Sequence, residues 1–82
     1  MPFVPQERRP ELDKVYQAMI DAGINADGDL NYILYKFCKY QVIPSYNNYK
    51  NYYGELNECA EQCRNDFLVP YEKKKKEENG DV

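Results

Sequence analysis

Tyr46, Tyr49, Tyr53, Leu56, Ala60, Cys63 and Phe67 recur at alternating spacings of three and four residues, while Asn48, Asn51, Glu55, Glu58, Gln62 and Asn65 fill the opposite face. This period gathers apolar groups on one side of an α-helix and excludes a strand, whose side chains change face at every residue. Ser45 is placed to cap the segment, so the spacing predicts one helix over 45–69, packing its stripe against the rest of the chain. Pro70 should end or kink it, because proline lacks the N–H an interior turn requires. Gly54 lies on its polar side, where it costs about 1 kcal/mol relative to Ala. It either weakens the middle of the helix or marks a close approach.

Two shorter patterns precede this helix. Pro10 suits a first turn, Glu11 and Asp13 suit the positive end of a helix, and Leu12, Val15, Tyr16, Met19 and Ile20 follow at helical spacing. With Gly23 as a natural stop, a helix is expected over 10–23. The turn at 25–29 offers an Asp as a cap, and Leu30, Ile33, Leu34, Phe37, Cys38 and Gln41 then predict a second helix over 29–42, closed before Pro44. Residues 1–9, with two prolines flanking Phe3 and Val4, read as an extended arm. Residues 71–82 read as a charged tail, either a last short helical stretch or a solvated arm. The expected fold is therefore mainly α: a single small three-helix domain over 1–82 with an N-terminal arm and a charged C-terminal tail. Short strand pairing between Phe3-Val4 and Gly80-Asp81-Val82 stays open.

Eighty-two residues leave room for one thin core. Nine Tyr and three Phe are many rings for a chain with 30 % charged residues. Tyr46, Tyr49 and Tyr53 fit the stripe, but Tyr35, Tyr40 and Tyr52 fall outside it and are expected at an interface, with a second copy or a partner. A net charge of -3 disfavours duplex nucleic acid, which is bound through a basic excess. No apolar run reaches the roughly 20 residues of a membrane span. Three cysteines, with no export signal after Met1, point to reduced thiols in a cytoplasm.

Catalytic chemistry finds little support. The chain has no His, which removes the commonest general base and the Ser-His and Cys-His pairs. Asp27, Asp29, Glu55 and Glu58 read as caps and solvated face residues. Cys38, Cys59 and Cys63 supply three thiols but no fourth ligand, so they read as small hydrophobes, and neither metal nor cofactor is expected. The Lys73 to Lys76 run is enclosed by Glu72, Glu77 and Glu78 and reads as a solvated tail. Binding remains. The first expectation is a protein partner, with a homodimer alongside. The alternative is a small anionic nucleotide held between Tyr rings and arginines, and the candidate surface comprises Arg8, Arg9, Tyr32, Tyr35, Tyr40, Tyr52 and Arg64.

The blocks Gln6-Glu-Arg-Arg-Pro-Glu-Leu-Asp, Gly28-Asp-Leu-Asn-Tyr, Gly54-Glu-Leu-Asn-Glu-Cys and Pro70-Tyr-Glu-Lys-Lys with Glu78-Asn-Gly-Asp-Val resemble, in that order, a family of short, largely bacteriophage-encoded proteins of unknown function. The resemblance spans nearly the whole chain. It implies a phage origin, life inside a bacterial host and a host or phage protein as partner, and it supplies no activity. Just before Pro70 the chain has Asn65 and Asp66 where that pattern carries adjacent basic residues, which speaks against a phosphate site there.

Overall fold

The computed structural model describes residues 4–82, and Met1, Pro2 and Phe3 of the expected arm lie outside them. Every regular element among the described residues is helical. A single 3-10 turn, Gln6–Arg8, leads into α1 (Arg9–Asp21); α2 (Gly28–Gln41) and α3 (Tyr46–Cys63) follow; a π turn (Arg64–Leu68) then joins α3 to α4 (Val69–Asn79). No strand occurs at Val4 or at Gly80-Asp81-Val82.

The chain divides into two units, one ending at Tyr49 and the other beginning at Lys50. In the first, the Arg9 Nε donates to the Val4 carbonyl at 3.0 Å and ties the arm to the start of α1. The far end of α1 closes in a Schellman motif: Ile24 N–H bonds the Met19 carbonyl at 3.0 Å and Gly23 N–H the Ile20 carbonyl at 2.9 Å. Gly23 takes φ +71°, which L side chains rarely adopt. Met19 and Ile24, the pair such a motif brings together, are both half-buried.

Caps then start the next two helices. The Asp27 carboxylate accepts from Asp29 N–H at 3.0 Å, and the Asp29 carboxylate accepts from Asn25 N–H at 3.2 Å. The Ser45 Oγ accepts from Asn48 N–H at 3.0 Å, while the Asn48 side chain donates to the Ile43 carbonyl at 2.9 Å. Val42 ends α2 in extended backbone, two residues ahead of Pro44. Leu30, Leu34, Cys38 and Val42, one turn apart along α2, are the half-buried line of this unit.

In the second unit the chain stays helical through Pro70, where the sequence left an end or a kink open. The π turn carries the change. Val69 N–H bonds the Arg64 carbonyl five residues back instead of four, so the turn ahead of Pro70 is widened. That relieves the clash a proline ring makes with the carbonyl four residues before it, and Pro70 sits at the start of α4, where its missing N–H costs least. Gln62 bridges the junction, its amide donating to the Asp66 carboxylate at 2.7 Å. The tail expected at 71–82 is accordingly helical as far as Asn79.

The stripe of α3 is largely exposed. Tyr46 is 79 % exposed, Tyr53 and Phe67 are each 71 % exposed, and no described residue in either unit counts as buried. The more sheltered side of α3 is rotated toward Tyr52, the single tyrosine of the described residues that is half-buried.

Candidate binding surfaces

α2 has two opposed faces. Leu30, Leu34 and Cys38 mark the half-buried one, and Tyr32, Tyr35, Lys36, Lys39 and Tyr40 line a shallow pocket of about 180 Å³ on the other. These five follow the same three-and-four spacing that defines a helical face. The Lys36 ammonium stands 5.5 Å from the centre of the Tyr32 ring and donates to its hydroxyl at 3.4 Å; Lys39 stands 5.5 Å from the Tyr40 ring. Such cation-π pairs at exposed positions hold a cation beside an aromatic face, an arrangement that suits an anion attached to a flat ring. Three candidate residues, Tyr32, Tyr35 and Tyr40, are thus brought together, with lysines rather than arginines as their cations. Reading the polar face of the second helix at helical spacing would have found Lys36 and Lys39.

The arginines lie elsewhere. Arg8 closes the 3-10 turn and Arg9 opens α1, with its guanidinium engaged by the Val4 carbonyl. Arg64 belongs to the second unit, on the edge of an apolar groove of about 530 Å³ lined by Ala60, Cys63, Arg64, Phe67, Leu68 and Tyr71. Phe67, Leu68 and Tyr71 share one face with Ala60 and Cys63 across the π turn. Three-and-four spacing continued from Ala60 through 63 or 64 and 67 or 68 reaches Tyr71, so following the stripe across Pro70 would have found this face.

The lysine run lies on α4 and is neutralised locally. Lys75 pairs with Glu78 at 3.2 Å, Lys76 with Asp81 at 3.2 Å, and the Lys75 ammonium is 5.6 Å from the Tyr71 ring. Cys59 and Cys63 stand one turn apart on α3, and the Cys59 thiol is pushed above its ordinary value of 9.0 by partial burial, then by the charge and hydrogen bond of Cys63. A raised thiol pKa disfavours the nucleophilic thiolate at neutral pH. Among the described residues no three His, Cys, Asp or Glu side chains come together as a metal-binding group, and no helix is long and apolar enough to cross a membrane.

A small helical fold with aromatic and apolar faces turned outward does not by itself specify an activity. The chain belongs to the family described as Domain of unknown function (DUF6899), which matches residues 1–82. No curated protein and no solved structure matches it.

Proposed function

We propose that the chain is a non-catalytic binding protein that acts through a protein-protein interface. The observation that carries this reading is the exposure of its apolar side chains. Val15, Tyr16 and Ile20 on α1 and Phe37 on α2 are more than half exposed, and no described residue is buried. Apolar faces of this extent mark interaction sites, and helices as short as α1 and α2 draw their stability from packing rather than from intrinsic propensity. The phage origin implied by the resemblance would place the partner in a bacterial cytoplasm, where binding would interfere with a host process. Affinity capture from infected bacteria tests this. The intact chain should retain a protein that Tyr16→Glu and Phe37→Glu variants release; recovery of nothing above background by a folded chain would remove the proposal.

A second reading rests on the Tyr32, Tyr35, Lys36, Lys39 and Tyr40 pocket, which offers rings and cations to a small nucleotide. Its volume is below the roughly 300 Å³ of ordinary ligand sites, so it would grip a base or a phosphate and leave the remainder in solvent. A thermal-shift series with linear and cyclic nucleotides decides it: ligand at about 100 times its dissociation constant should add about 2.7 kcal/mol. Absence of a shift leaves the protein partner alone.

A further inference from the structure

The groove of the second unit has its complement in the same helix. From Tyr53 the stripe runs Tyr53, Leu56, Ala60, Cys63, Phe67, Tyr71: two large side chains, two small, two large. Reversed, Tyr53 falls on Tyr71, Leu56 on Phe67 and Ala60 on Cys63. The order of sizes is therefore unchanged when the helix is turned end for end. We propose that two copies of the chain pair antiparallel through this face, about a two-fold axis passing between Ala60 and Cys63.

Three observations choose a second copy as the occupant. The small residues sit at the middle of the stripe, where two helices crossing about a two-fold axis approach most closely. The groove around Ala60, Cys63 and Phe67 is open and apolar, and Tyr53 and Leu56, which project from the other end of the stripe, are the side chains that antiparallel pairing delivers into it. An isologous interface needs projection and hollow on one patch, and this patch has both. The third observation is charge. Arg64 at the groove edge and Glu61 a turn away have no ion-pair partner among the described residues. In the antiparallel register Arg64 of one copy comes within a turn of Glu61 of the other, and symmetry makes that pair twice.

Self-pairing does not depend on the protein partner proposed above, and the two fail separately. Light scattering of the full chain at micromolar concentration should give twice the 9.7 kDa chain mass. With Cys38→Ser and Cys59→Ser leaving Cys63 as the one thiol, a short bis-maleimide should link two chains. Arg64→Glu or Glu61→Arg alone should weaken the dimer about tenfold, because each change is felt twice, and the two reversals in one chain should restore it. That rescue separates a lost interface from a lost fold. A chain that stays monomeric, a dimer that Cys63 cannot link, or a dimer indifferent to both single reversals would overturn the pairing. A monomer that still captures a host protein would overturn it while leaving the proposed function intact.

Discussion

Gly23 holds φ +71° with open space around the position a Cβ would take, so the cost of a side chain there is conformational rather than steric. Gly23→Ala should destabilise the first unit by about 1 kcal/mol, and Ser45→Ala should cost about the same by freeing the Asn48 N–H. Urea unfolding followed by circular dichroism reads both. These positions were legible in the sequence because a cap or a stop is a local matter, decided by residues two or three apart. Tyr52 was not legible in that way. Its position off the best apolar stripe made it a surplus ring, yet it is half-buried whereas Tyr35 is 69 % exposed. Tyr52→Glu should therefore cost about 1 to 2 kcal/mol through placing a charge in partial shelter, and Tyr35→Glu should stay within about 0.5 kcal/mol. Equal effects of the two changes would contradict the difference in shelter.

Among the elements, the helical stretches were readable from period and punctuation, and their ends fall close to where Gly23, Asp27, Ser45 and Pro44 place them. At Pro70 the sequence left an end or a kink open, because the outcome depends on whether the turn before the proline stays α-helical. The π turn at Arg64–Leu68 decides it, and no residue type from 64 to 68 announces that turn. The groove went unread for a related reason: Leu68 and Tyr71 continue the spacing of Ala60 and Cys63, but the stripe was followed only to Phe67, with Pro70 standing beyond it. The basic half of the α2 pocket was legible but unread: Lys36 and Lys39 lie at helical spacing from Tyr32, Tyr35 and Tyr40, whereas the search for cations went to the arginines. Gly54 was open between weakness and close approach. A Cβ there would meet nothing within 4 Å. Gly54→Ala should accordingly stabilise α3 by about 1 kcal/mol, seen as a higher urea midpoint. A fall in stability would reveal that another chain comes close at this position.

For the whole molecule the decisive quantity is how little it buries. Burial of apolar surface is the dominant favourable term in folding, and here no described residue is buried. Local terms, the caps at Asp27 and Ser45 and the ion pairs along α4, each contribute about 1 kcal/mol or less, whereas ordering each residue costs the backbone about 1 to 2 kcal/mol. They cannot hold the helices alone, so most of the stability should come from association. Stability should then depend on concentration. For a dimer, a hundredfold dilution removes about 2.7 kcal/mol of association free energy, which is half that per chain. In a domain of this size that corresponds to a fall in Tm of about 5 to 10 °C. Melting the full chain by circular dichroism across such a dilution reads the effect, and Phe67→Glu should flatten it by holding the chain in its low-Tm, monomeric form. A Tm that stays constant over the whole range would mean that each chain is held by contacts within itself, and the exposed stripe would then be surface reserved for a different protein.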